Sequence, residues 1–216
     1  MSITHALKRI RSYTSQHSEL DKAEYFIFDR YIGNSGGKPE ALVLGINPKE
    51  SRGFTPGHTP CQETSSELDF RKGLPVPPAT KNWQKTVNDM LGDVNVTTSE
   101  FFFWASADAG AAFRNRFGYP FKKNPHLKFC RDMNQVLIRE YAIAKIVCPG
   151  LTSAKFAKEL YGLQHKITVR CPSTNNRLIE HFGYGDSNWV FTKHWTGGRG
   201  FTLDQKQIVK TYLRES

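Results

Sequence analysis

Apolar positions along this chain of 216 residues recur in two rhythms. Ala6, Ile10 and Tyr13 are spaced for one helical face, and so are Leu20, Ala23, Phe26 and Ile27; the first thirty residues are therefore predicted helical. Ala41 to Ile46 is a short continuous apolar run bounded by a glycine and a proline, which reads as a buried strand. Trp83, Val87, Met90 and Leu91 share a face of a predicted helix over Asn82 to Leu91. SEFFFWAS, Ser99 to Ser106, reads as a second buried strand, its aromatic run as core. Leu127 to Ala142 reads as an amphipathic helix, and AKIVCPG as a third strand. Leu151 to Gly162 is a predicted helix closed by glycine, and Lys166 to Cys171 a strand. STNNRLIEHFGYG is predicted as a short helix that Ser173 or Thr174 would cap. NWVFTKHWTGGRG brings a last strand into a glycine-rich turn, and a terminal helix starts at Leu203 with Asp204 in its first turn. The segments between, Lys49 to Lys81 and ADAGAAFRNRFGYPFKKNPH, read as loops.

Continuous apolar strands alternating with helices predict an α/β fold: a three-layer α/β/α sandwich with a short, mostly parallel central sheet. One domain over 1–216 is expected, with a helical N-terminal extension (about 1–32) and a long loop insertion (about 49–81). In such sheets ligands bind beyond the carboxyl ends of the strands. The residues there are Asn47-Pro48, Ser106-Ala107-Asp108, Pro149-Gly150 and the run His194-Trp195-Thr196-Gly197-Gly198-Arg199.

Charge narrows the partner. The formal net charge is +10, which favours a polyanion, because each phosphate neutralised releases counterions. No apolar run approaches the roughly 18 residues of a membrane span. The N-terminus has no signal-like apolar stretch, so an intracellular, monomeric protein is expected. Cys61, Cys130, Cys148 and Cys171 are scattered with no CxxC pair, and Cys148 and Cys171 read as buried thiols. An iron–sulfur cluster would need all four from distant positions. No paired-histidine spacing and neither nucleotide-binding glycine fingerprint occurs, so no cofactor and no metal are expected.

GINP after an apolar strand, KNWQKTV opening a helix, IVCPGLTSAKFAKEL as strand and helix, and KHWTGGRG late in the chain together resemble the uracil-DNA glycosylase superfamily. The likeness covers about residues 40 to 215. It is closest to the mismatch-specific and single-strand-selective branches, which carry asparagine in the first motif. It implies a monofunctional DNA glycosylase that hydrolyses the N-glycosidic bond of a flipped uracil-like or modified pyrimidine. Asn47 would position water, and His194 would stabilise the departing base. Ile46, Pro48, Phe54, Ser106 and Asp108 would contact that base. Lys49, Lys193, Trp195, Gly197, Gly198 and Arg199 would bind DNA, single- or double-stranded. The chain departs from the motifs at Lys49, where glycine is usual, and at Trp195-Thr196, where Pro-Ser is usual. No asparagine closes its second strand. These departures extend the expected target from uracil to a mismatched thymine or a bulky modified pyrimidine.

Plainer readings stand beside this one. Asn47-Pro48 is also ordinary turn chemistry. His194 is also a reasonable structural histidine, and Phe54 a reasonable packing anchor. A catalytically inactive nucleic-acid-binding module on the same fold explains the charge without Asn47, and a small-molecule enzyme using a similar crevice is a third reading.

Overall fold

A computed structural model describes residues 3–26, 29–30, 38–48, 63–64, 78–195 and 201–216. In chain order these form α1 (Ile3–Ser15), β1 (Tyr25–Phe26), β2 (Asp29–Arg30), β3 (Ala41–Gly45), β4 (Glu63–Thr64), α2 (Pro78–Leu91) and β5 (Val96–Glu100). They continue as α3 (Ala111–Phe117), α4 (Leu127–Glu140), β6 (Lys145–Pro149), α5 (Ala154–Tyr161), β7 (Gln164–Arg170), β8 (Arg177–Tyr184), β9 (Ser187–Thr192) and α6 (Leu203–Glu215). One 3-10 turn, Phe121–Lys123, precedes α4, and another, Leu151–Ser153, leads into α5.

The main sheet has strand order β2-β5-β3-β6-β9-β8-β7. Its centre, β5-β3-β6-β9, is parallel; β2 on one side and β8 on the other run antiparallel to it, and β7, paired antiparallel with β8, closes that edge. The expected α/β class holds, with antiparallel edges on a parallel core. Alternation along β3 splits the apolar interior in two. Ala41 and Val43 join Val87, Met90 and Leu91 of α2 and Val209 and Leu213 of α6. Leu42 and Leu44 join Ala6 and Ile10 of α1, Cys130 and Met133 of α4, and Phe156 and Ala157 of α5. A period of two is what a strand buried on both faces requires.

Several expectations need correction. The N-terminal helix ends at Ser15 and two short strands follow it. It is an integral wall: Ala6 and Ile10 are fully buried, and Trp104 Nε1 donates to Thr14 Oγ1 at 3.1 Å, which itself donates to the Ile10 carbonyl. Within the 49–81 segment, β4 pairs in parallel with β1 and α2 begins at Pro78. The second parallel strand is VTTSE rather than SEFFFWAS. Its polar face is tolerated because Ser99 donates to Asn134 Oδ1 at 2.6 Å. Phe101 to Trp104 are fully buried core, as expected, but in an irregular segment after the strand. The supposed loop after Asp108 contains α3, which buries Phe113 and Phe117 one turn apart and closes on Gly118 in the left-handed region. RLIEHFGY is strand β8, not a helix. Leu178, Ile179 and Phe182 fit either period, and ladders to β7 and β9 decide the outcome.

The candidate active site

Chain direction around β3 creates the crevice. From β3 the chain crosses by α2, on one face, to β5; from β5 it returns by α4, on the other face, to β6. Crossovers of one hand in opposite directions must use opposite faces. The segments leaving β3 and β6 therefore diverge, and the gap between them at the carboxyl ends of those strands is where an open α/β sheet takes a ligand. Asn47 and Gly150 stand at its two sides.

Asn47 is held by a network whose polarity is forced by chemistry. Its Nδ2 donates to the Pro48 carbonyl at 3.0 Å and to Ser106 Oγ at 2.9 Å. Ser106 Oγ gives its one proton to the Asp108 carbonyl at 2.6 Å, so toward Asn47 it can only accept. Both acceptors demand the NH2 end of the carboxamide, which fixes the amide orientation and, among the described residues, leaves Oδ1 as the group to meet a ligand. Ser106 reaches this position because the segment after β5 runs beside residues 45–48. Phe101 N–H donates to the Gly45 carbonyl at 2.8 Å, Phe102 N–H to that of Ile46 at 3.1 Å, and Ser106 N–H to that of Pro48 at 3.2 Å. Ile46 and Asn47 are half-buried, while Pro48 and Ser106 are buried.

Glu100, the last residue of β5, lies across the same floor. A methyl group at Gly45 would stand 2.1 Å from Glu100 Oε2, so the carboxylate occupies the space a side chain would take. Sequence reading passed over this acid because it was placed inside a supposed strand. Arg116 was missed too; from α3 it donates to the Ala105 carbonyl at 3.2 Å, beside Ser106.

Asp108 plays a different part from the one expected of it. Its carboxylate accepts the N–H groups of Gly110 at 2.7 Å and Ala112 at 3.1 Å, stapling the start of α3. Only its backbone carbonyl joins the Asn47 network. Trp195 is corrected as well. It is 9% exposed, its ring stacks on Trp83 with centroids 5.7 Å apart, and its Nε1 donates to Thr192 Oγ1 at 2.8 Å. The indole anchors the end of β9 against α2 and is not a surface for gripping DNA. Lys193 is half-buried and its Nζ donates to Gln205 Oε1 of α6 at 3.1 Å.

His194 is exposed. Asn47 comes two residues after the end of β3 and His194 two residues after the end of β9, so both leave the sheet at the same end, with β6 between their strands. Two strand spacings, about 10 Å, separate β3 from β9. Between them is Gly150, at φ 147° in the region that favours glycine, with its N–H on the Thr192 carbonyl at 2.8 Å. The 3-10 turn and α5 follow at once, bringing a helical N-terminus and its partial positive charge to the cleft edge.

Phe54, Lys49, Gly197, Gly198 and Arg199 lie outside the described residues. Among the described residues no group of His, Cys, Asp and Glu is arranged to hold a metal ion, and no helix is long and apolar enough to cross a membrane. Cys130, Cys148 and Cys171 are buried free thiols. Burial pushes the first two thiols up, whereas hydrogen bonds from Ser173 and Thr174 bring Cys171 down to about 6. No protein-family model and no curated protein sequence matches this chain.

Proposed function

We propose that the protein is a monofunctional DNA glycosylase acting on a flipped, uracil-like or modified pyrimidine. The observation that carries this reading is the doubly anchored carboxamide of Asn47 at the switch point of the sheet. Helices over both sheet faces are what a three-layer α/β/α sandwich requires, and they support the same reading.

Cleavage of a glycosidic bond builds positive charge on the sugar and negative charge on the leaving base. A neutral carboxamide is a poor base, but with both amide protons tied down Asn47 Oδ1 is a fixed acceptor for water near C1′. His194, which leaves the same end of the sheet two strands away, donates to the base oxygen as charge develops there. One preorganised donor of this kind lowers a barrier by about 3–4 kcal/mol. The helical N-terminus after Gly150 adds favourable potential for the anion. The target must leave the base stack to reach this depth, and the +10 net charge supports binding the flanking phosphates. The nucleophile is water and not an amine, so no Schiff base forms and the product is an abasic site in an intact strand.

The test is an oligonucleotide panel carrying uracil, mismatched thymine and bulky modified pyrimidines, with alkali used to reveal abasic sites. Product from wild type that is lost in Asn47→Ala and His194→Ala supports the reading. Absence of product with every substrate, beside salt-sensitive binding that Asn47→Ala leaves untouched, would establish the inactive nucleic-acid-binding module instead.

A further inference from the structure

Beyond the cleft the sheet continues as the β7–β8 ribbon, and its connecting turn emerges on the same side as Asn47 and His194. Ile179 pairs with Thr192, and Lys193 N–H donates to the Leu178 carbonyl at 3.2 Å. That antiparallel register, carried one residue on, sets Arg177 level with His194. Arg170 is in turn registered with Arg177. His194, Arg177 and Arg170 therefore stand side by side at the end of the sheet from which Asn47 also emerges, and β3 and β7 are about 19 Å apart at about 4.8 Å per strand.

Two arginines directly opposite on neighbouring strands repel one another, an arrangement that lowers the stability of a sheet. The protein compensates only in part. Arg177 Nη1 meets Glu180 Oε1 in an exposed ion pair. Arg170 Nη1 donates to the Asn175 carbonyl at 3.0 Å, bracing a turn in which Asn175 takes φ 55°. Among the described residues each arginine engages a single guanidinium nitrogen, and a guanidinium has five N–H donors. The turn is further fixed by Cys171 N–H on the Asn176 carbonyl and Asn175 N–H on the Cys171 carbonyl, both at 2.8 Å. A rigid turn that holds two like charges together at the surface, at the same end of the sheet as Asn47 and His194, is suited to an anion with more than one phosphate.

We infer that Arg170 and Arg177 form a second DNA contact, gripping two backbone phosphates a few nucleotides from the flipped one. This rests on the reading of the protein as DNA-binding but not on its catalysis. The β3-to-β7 span corresponds to roughly five to six nucleotide steps at about 3.4 Å each, so the phosphates held belong to the flanking duplex or single strand and not to the target nucleotide. Phosphate contacts position a protein without reading sequence, so the ribbon sets register and affinity rather than base choice.

The experiment measures the affinity of the full chain for an unmodified duplex and for the matching single strand from 50 to 300 mM salt. Wild type is compared with R170Q/R177Q and with R170K/R177K, and thermal unfolding is followed in parallel. The expected result is binding at least tenfold weaker at low salt in the glutamine variant. The slope of log affinity against log salt should shrink by about 1.4–1.8, the release from two phosphates. The lysine variant should keep most of the slope, and the glutamine variant should still unfold cooperatively well above the assay temperature, which separates a lost phosphate contact from a lost fold. An unchanged affinity and slope in the glutamine variant overturns the ribbon contact while leaving DNA binding itself intact. No binding by wild type at any salt overturns both. Weakened binding in the variant with no excision by wild type upholds the contact and removes the catalytic reading alone.

Discussion

The Asn47 carboxamide and the Ser106 hydroxyl, 59 residues apart in sequence, lie 2.9 Å apart with the serine as acceptor. The direction of that bond is decided one step further on, where Ser106 gives its proton to the Asp108 carbonyl. A side chain at the end of one strand is thus aimed by a residue from the segment that follows another.

Ser106→Ala should therefore act through Asn47. It removes the acceptor for one amide proton of this half-buried side chain, at a cost of about 0.5–1.5 kcal/mol in stability. Excision should slow by about tenfold or more, while the double variant with Asn47→Ala should be no slower than Asn47→Ala alone. Single-turnover rates across that cycle measure the coupling; additive losses would show that Ser106 acts independently.

Gly150→Ala tests the backbone between Asn47 and His194. Little surrounds the site, since the nearest atom to an added Cβ is Ser153 Oγ at 3.9 Å, so the expected penalty comes from φ 147° alone. A loss of about 1–3 kcal/mol is expected in urea titrations. A neutral result would mean that the backbone relaxes freely at the cleft edge.

Trp195 should behave as a core residue. Trp195→Ala should cost about 3–5 kcal/mol, as large-to-small core changes do. Trp195→Phe keeps the stack on Trp83 but loses the bond to Thr192 Oγ1, and should cost about 1 kcal/mol with DNA affinity unchanged. A large loss of DNA affinity in the phenylalanine variant at intact stability would restore a direct contact role.

His126 links stability to mild acid. It is buried, with Tyr13 Oη 2.9 Å from Nδ1 and Glu19 Oε1 3.0 Å from Nε2. Desolvation holds its pKa below the usual histidine value despite Glu19. The folded state thus binds its proton less readily than the unfolded chain does. The stabilisation is complete above about pH 6.5 and is lost as pH falls below it toward the folded value. His181, also shifted down by burial, contributes with the same sign. Urea midpoints between pH 7.5 and 5 should fall for wild type and fall less steeply for His126→Gln; parallel curves would assign the dependence elsewhere.

Much of the architecture was legible in the chain because continuous apolar runs bounded by glycine and proline leave few alternatives to a buried strand. Ala41–Gly45, Lys145–Pro149 and Ser187–Thr192 follow from that pattern, as do the helices that bury Val87, Met133 and Phe156. The α/β class follows from their alternation, and the placing of Asn47 past a strand end from GINP itself. What the chain alone left undecided was every feature set by partners distant in sequence. Val96–Glu100 looks polar and is a central strand because Asn134 and the ladder to β3 satisfy it. Arg177–Tyr184 has a pattern compatible with a helix and is a strand because β7 and β9 both pair with it. Asp108 and Trp195 sit at the anticipated edge, yet the backbone of α3 and the ring of Trp83 occupy their functional groups. Local periodicity reports which side of an element is buried; only the folded chain assigns hydrogen-bond and stacking partners, and those assignments determine which polar side chains are left to do chemistry.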